Sequence, residues 1–377
     1  MKVAILHEML VKLWGAEKVV EKLLNIFPDA DLFTLIYDEK KVGKIFPKEK
    51  MNSQVFSLPS QNIYKWTKNQ RLCLPSIPRS VEALDFSEYD LVIASSSWFA
   101  HGAITKPETQ FIVYYHSPAR YMWDWTNEYK KDIGWQTWIK WFMLNRLFLK
   151  LRQWDIIASA RVDTVIANAY NTAWRIQKYY RRESEILYPP VEVSRFQKVL
   201  KKSEWNKFYS NGNYYIIISA LTEFKKLDVA IEWFNKISDQ NLLIIWAGDS
   251  REKLENLVKW DNIIFAWPQY GDDLVDLVQK SRWLIFPGEE DFGIVPIEVM
   301  AAWKPVFALR AGWLLETVIE WKTWEFFNSA NWDDFVENFT RFNTKNTENK
   351  YFPDDCKKQA ELFSDIKFEE NLMKLIK

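Results

Sequence analysis

The sequence predicts an α/β protein made of two Rossmann-like domains, each a parallel sheet covered by helices on both faces. Three observations carry this. Short apolar runs alternate with amphipathic helical stripes along the chain, the pattern of repeated βαβ units. The 377 residues exceed what one hydrophobic core usually supports. Paired prolines in Tyr188-Pro189-Pro190-Val191 set a stiff break midway, after which a second strand series begins. The expected division is residues 1–190, residues 191–360 and a closing helix over 361–377, with the two domains facing each other across a cleft.

In the first half the strands are Lys2–His7, Asp31–Ile36, Asp90–Ser95, Gln110–Tyr115 and Asp163–Asn168. Their Val/Ile-rich, barely alternating composition suits strands covered on both faces. Between the first two, Ala16, Val19, Val20, Leu23, Leu24 and Phe27 fall on one helical stripe. In the second half the strands are Tyr214–Ala220, Asn241–Ala247, Asn262–Phe265, Leu284–Phe286 and Pro305–Leu309. The helix after the first of these places Leu227, Ala230, Ile231, Phe234 and Ile237 on one face. Lys201–Asn213 and Lys345–Tyr351 are polar and read as surface loops, the second leading into a final helix around Glu361–Lys377.

Fifty basic and fifty acidic side chains cancel, so no global field favours nucleic acid, and none is expected as a partner. Cys73 and Cys356 stand far apart and form no metal or redox motif, which fits a reducing compartment. His7 and Glu8 interrupt the apolar amino terminus too early for a signal peptide, and no apolar run approaches membrane-spanning length. A cytoplasmic protein is expected.

Tryptophan and glycine are out of proportion. The chain has 21 Trp and 10 Gly, where average usage gives roughly 26 Gly. Trp14, Trp303, Trp313, Trp321 and Trp324 occupy turn or phosphate-loop contexts that suit a residue without Cβ. The pattern is that of a gene whose UGA codons specify glycine and have been translated as tryptophan. The alternative is a chain truly rich in tryptophan.

The densest chemistry lies in Phe286-Pro287-Gly288-Glu289-Glu290-Asp291-Phe292-Gly293-Ile294-Val295-Pro296-Ile297-Glu298. A strand ends, a loop holding Gly288 and Gly293 follows, and Pro296 suits the first position of a helix. Glu298 then falls in the first helical turn and Glu290 in the loop. Free amides at a helix start attract phosphate, and a carboxylate beside them can accept from two sugar hydroxyls. Two loop glutamates alone would be solvated acids, but Ala301-Ala302-Trp303-Lys304-Pro305-Val306 follows directly.

With that block the chain resembles the retaining glycosyltransferases of family 4, the group 1 glycosyltransferases, which have the GT-B fold. The other motifs follow in order: Val3-Ala4-Ile5-Leu6-His7 through Trp14-Gly15-Ala16-Glu17-Lys18-Val19, Tyr115-His116-Ser117-Pro118-Ala119-Arg120, Ile166-Ala167-Asn168, Tyr188-Pro189-Pro190-Val191 and Phe224-Lys225-Lys226. The resemblance implies a nucleotide-diphosphate sugar held mainly by the second domain. Glu298 would bind the ribose hydroxyls, Glu290 would face the donor sugar and Lys225 would neutralise the diphosphate. Gly293, Ile294 and Val295 form the helix start at the donor, and Ala311-Gly312-Trp313-Leu314 would supply backbone amides. Trp14 and Gly15 would cover the phosphates from the first domain, and His116 would lie near the transferring sugar. Arg120 and Asn168 read equally as site wall or scaffold. His7-Glu8 shapes the first loop and touches the acceptor on this reading. Lys225 could instead be a surface lysine, and His116 a packed core residue.

One family position is broken: Ala220 stands where a basic residue is expected to pair with Lys225 across the phosphates, and Lys226 either compensates or points to solvent. The resemblance implies transfer with retention, driven by orientation and by stabilisation of the departing diphosphate. No metal ion and no cofactor is expected beyond the nucleotide sugar as co-substrate. Asp29-Ala30-Asp31 spells a metal-binding pattern of another fold but reads here as a loop before a strand. No phosphate-loop or dinucleotide fingerprint is present. The expected acceptor is a glycan or lipid-linked glycan in cell-surface polysaccharide synthesis. The aromatic and basic stretch Trp135–Arg152 reads either as a helix packing inward or as a peripheral contact with the inner face of a membrane. Two other readings stay open: an inactive sugar-nucleotide-binding protein and a sugar-nucleotide epimerase on the same fold.

Overall fold

The computed structural model describes residues 1–376 apart from 14, 128–137, 199–211, 290–291, 321, 330 and 348–352. Trp14, Glu290 and nearly all of the Lys201–Asn213 loop thus lie outside the described residues. The chain forms two compact units, one of residues 1–190 with 368–377 and one of residues 191–367.

The first unit carries a six-stranded parallel sheet: β1 (Val3–Leu10), β2 (Asp31–Tyr37), β3 (Leu91–Ser96), β4 (Gln110–Tyr115), β5 (Thr164–Ala167) and β6 (Glu185–Ile186). Their spatial order is β2-β1-β3-β4-β5-β6. Every residue of β1 is buried, as expected of a strand with helices on both faces. One face packs Leu6, Phe33, Val113 and Phe148. The other packs Ile5, Val20, Leu23 and Tyr114 with Phe368 and Leu372 of the terminal helix Asp365–Leu375.

The second unit has β7 (Tyr215–Ile218), β8 (Leu242–Ile245), β9 (Ile263–Ala266), β10 (Leu284–Phe286), β11 (Val306–Leu309) and β12 (Trp324–Phe327), all parallel. Their order is β12-β11-β10-β7-β8-β9. Tyr215, Trp283, Phe307, Phe335 and Phe339 build an aromatic core on one face.

Ten strands lie where apolar runs place them, and the two edge strands β6 and β12 are additions. β6 has only two residues. In β12 the acidic Glu325 interrupts the apolar pattern, yet it is buried because Arg341 reaches it at 2.5 Å. The helix after β10 runs Ile294–Ala301 with Gly293 as its cap. Pro296 is therefore its third residue, not its first, and Glu298 its fifth, at the start of the second turn.

The tryptophans separate into two kinds. Trp246 and Trp303 have φ of 140° and 59°, in the half of backbone space that suits glycine. Trp154, by contrast, donates its Nε1–H to Glu82 at 2.8 Å, and a Cβ on Gly102 would sit 2.3 Å from its ring. Gly102 makes room for that indole, which packs as a core aromatic. Trp233 stacks on Phe335 at 3.9 Å and also belongs to its core.

The helix Trp138–Ser159 buries Leu144, Phe148, Leu151 and Ala158. Its opposite face exposes Phe142, Met143, Leu149, Ile156 and Ile157 beside the exposed Arg146 and Lys150.

Candidate active site

In a doubly wound sheet, loops leaving the carboxyl ends of the strands diverge where the strand order reverses, which opens room for a ligand. In the first unit the reversal lies between β1 and β3, and in the second between β7 and β10. Candidate residues gather at both.

At the first, parallel register sets His7 of β1 beside Ser95 of β3. His7 Nδ1 lies 3.3 Å from the Ser95 carbonyl oxygen and 3.1 Å from Ser95 Oγ. Ser95 Oγ also bonds His116 Nε2 at 2.8 Å, just past β4. Glu17, in the first turn of the helix Gly15–Ile26, lies 3.8 Å from His7 Nε2. His7, Glu17 and Ser95 are buried, and His116 is partly so. Burial works against the His7 imidazolium, but the hydrogen bond and charge of Glu17, helped by Glu8, raise its pKa. Burial and the charge of His7 push His116 down to about 3.

One carboxylate oxygen of the neighbouring Glu8 takes four contacts. Its Oε1 accepts the backbone N–H of Ser97 at 2.6 Å, of Trp98, and of Phe99 at 3.0 Å, and the hydroxyl of Ser96 at 3.1 Å. The loop after β3 is a nest for an anion, and Glu8 is that anion. Arg120 shares Asp124 with Arg175, at 3.7 and 3.4 Å, and its guanidinium lies 3.7 Å over the Trp125 ring. Asn168, after β5, is buried; its N–H reaches the Tyr115 carbonyl at 3.1 Å. Gly15 opens the helix that carries Glu17.

At the second reversal Lys225 is buried, with 7% of its surface exposed, in the loop between β7 and the helix Leu227–Lys236. Gly288, leaving β10, presses on that loop: a Cβ there would lie 2.7 Å from the Lys225 carbonyl oxygen. Gly248, leaving β8, is equally close to Leu221, with a Cβ 2.4 Å from its carbonyl. Three loops thus meet backbone to backbone. Only glycine permits those approaches. Glu298 is buried on the helix Ile294–Ala301, behind Gly293, Ile294 and Val295. Lys226 is exposed with φ 55° and caps the next helix, so it points to solvent. Gly312 takes φ 65°, and Trp313 is fully buried, stacked on Phe292 at 4.3 Å. Its Nε1–H finds no hydrogen-bond acceptor among the described residues.

Reading the sequence alone misses Ser95 and the nest around Glu8. Both depend on β1–β3 register, which no single segment spells out.

This architecture, two parallel sheets with candidate residues at each strand-order reversal, is that of the GT-B proteins. Residues 200–361 match the family model described as glycosyl transferases group 1. An uncharacterized glycosyltransferase of Methanocaldococcus jannaschii is 33% identical over 118 residues, covering 30% of this chain and 33% of that protein. The alpha-1,3/1,6-mannosyltransferase ALG2 of Saccharomyces cerevisiae is 26% identical over 201 residues, covering 41% of this chain and 40% of ALG2. The matches therefore span a third to two-fifths of these relatives. Among solved structures, HepE of Anabaena in complex with UDP and glucose superposes with a TM-score of 0.71 at 13% identity, covering 100% of this chain and 99% of that one. Sucrose-phosphate synthase of Thermosynechococcus elongatus superposes with a TM-score of 0.72 at 14% identity, covering 100% and 98%. The match to the group 1 glycosyltransferases thus lies within the second unit, and the chain as a whole shares the fold of the GT-B proteins.

Proposed function

We propose that this protein transfers a hexose, with retention of configuration and without a metal ion, from a nucleotide-diphosphate sugar to a glycan or lipid-linked acceptor in cell-surface polysaccharide synthesis. The observation that carries the reading is the burial of Lys225 beside the Gly288 loop at the β7–β10 reversal, with Glu298 buried on the helix that follows. A buried cation there offsets negative charge as the diphosphate departs, and the amides of Ile294 and Val295 add to it. Glu298 accepts from the ribose hydroxyls and Glu290 faces the sugar. His116 lies near the transferring sugar, Trp14 and Gly15 cover the phosphates from the first unit, Arg120 and Asn168 line the first unit's part of the site, and Gly312 and Trp313 belong to the donor loops.

Mannosyl donors come first because ALG2 is a mannosyltransferase, and UDP-glucose second because HepE holds UDP and glucose. A membrane-proximal acceptor suits the apolar, basic outer face of the helix Trp138–Ser159. No helix among the described residues is long and apolar enough to cross a membrane.

The test is nucleotide release and sugar transfer across a donor panel, with EDTA present and the product anomer read by NMR. Inversion, or loss of activity in EDTA, would refute the mechanism. One observation favours a second reading, a sugar-nucleotide-binding protein without transfer: Trp313 packs its indole on Phe292, one residue before the Gly293 cap. Donor binding without turnover, with turnover appearing in Trp313→Gly, would support it.

A further inference from the structure

Hydrogen-bond chemistry fixes where the protons lie along Glu17, His7, Ser95 and His116. Carbonyl and carboxylate oxygens only accept. His7 Nδ1 faces the Ser95 carbonyl at 3.3 Å and so carries a proton, and the Glu17 carboxylate, 3.8 Å from Nε2 as an ion-pair partner, favours a second proton there. Ser95 Oγ, 3.1 Å from the same Nδ1, then sits on its donor side and accepts. The single hydroxyl proton is left for His116 Nε2 at 2.8 Å. A neutral imidazole accepting at Nε2 holds its own proton on Nδ1. No hydrogen bond to that Nδ1 comes from any described residue, and His116 retains partial exposure.

We propose that Glu17, His7 and Ser95 are positioning residues that lock His116 as the Nδ1–H tautomer, presenting a hydrogen-bond donor to an oxygen of the bound sugar. The contact with sugar rests on the functional reading above, whereas the tautomer does not. The raised pKa of His7 and the lowered one of His116 agree with this proton order.

The chain has three histidines, so long-range proton–nitrogen correlation on protein labelled with 15N-histidine resolves each. Near pH 7 the expected spectrum has His7 protonated on both nitrogens and His116 neutral, with Nδ1 protonated and Nε2 bare. In Ser95→Ala, His116 should relax to a mixture of tautomers, and Ser95→Thr should restore the single form. A wild-type His116 protonated on Nε2, or a neutral His7, overturns the assignment. With an active donor in hand, Ser95→Ala should lower kcat about tenfold with little change in donor Kd, and Ser95→Thr should recover it. An unchanged kcat would overturn the sugar contact. If no donor is turned over, the functional reading fails while the spectrum still decides the tautomer.

Discussion

Replacing Trp246 and Trp303 by glycine should leave stability nearly unchanged, unlike the large loss that truncating tryptophan normally brings. Trp303 sits in the left-handed well at φ 59°, which costs an L residue about 1–2 kcal/mol. Trp246, at φ 140°, lies beyond that well, where strain is of order 1–3 kcal/mol. Against this, each glycine loosens the unfolded chain by about 0.4–1 kcal/mol. Each indole is half-buried, which holds about 1 kcal/mol, and adds a ring contact of about 0.5 kcal/mol, Trp246 edge-on to Tyr270 at 5.6 Å and Trp303 under Lys357 at 5.9 Å. These terms nearly cancel, so the double variant should stay within about 1 kcal/mol of the parent, roughly 2–4 °C in the melting of a unit this size. Trp154→Gly is the control. It removes a helix-interior indole bonded to Glu82 and packed over Gly102, and should cost about 3–5 kcal/mol. Thermal and urea melts of the three proteins decide. If the double variant falls as the control does, the glycine reading of these positions is wrong. Peptide mass spectrometry on protein from the source organism, covering residues 14, 246, 303 and 313, reads the same question directly; tryptophan at all four would end it.

Glu298→Ala and Glu290→Gln should each reduce transfer by about 10²–10³-fold, measured as nucleotide release; near-normal rates in both would remove them from the site. Protonation of His116, whose folded value is about 3 against an ordinary 6.5, favours the unfolded chain. Stability should therefore drop by up to about 2 kcal/mol as pH falls from about 6.5 to 5, and His116→Gln should flatten that slope in urea titrations. His7 works in the opposite sense: its raised value gives stability fully present below about 6.5 and lost as pH rises through the folded value. Glu8→Ala empties the nest over Ser97–Phe99 and should cost about 2–4 kcal/mol. Added acetate should recover part of that loss as a concentration-dependent rise in melting temperature, and no recovery would mean the amides rearrange.

The interior strands were legible because burial on both faces leaves a continuous apolar run. β12 was not, since Glu325 reads as solvent-facing until Arg341, sixteen positions away in sequence, supplies its partner. Residue types at the candidate site were legible wherever one motif holds them in sequence, as in Gly293 through Glu298. Ser95 was invisible because its importance comes from lying between His7 and His116, which the β1–β3 register and the end of β4 create. Pro296 shows the limit on boundaries: proline is tolerated anywhere in the first turn, where no helical acceptor exists for its missing N–H, so it could not mark the first residue.

The two reversal points also differ in how their backbone amides are used. Both strand ends offer converging backbone amides, the usual attraction for a phosphate. In the first unit those amides are spent on Glu8, which brings its own negative charge and fills the nest. A second anion there would meet a carboxylate. In the second unit the helix Ile294–Ala301 starts from Gly293, whose lack of a side chain leaves the first amides without a side-chain cap, and the buried cation Lys225 lies on the adjoining loop. On the proposed reading a diphosphate is disfavoured at the first site and favoured at the second. The first unit is left with neutral His116 and the Arg120–Asp124–Arg175 cluster, groups suited to hydroxyls. The proposed assignment of donor to the second unit and acceptor to the first rests on this difference in which amides the chain has already satisfied.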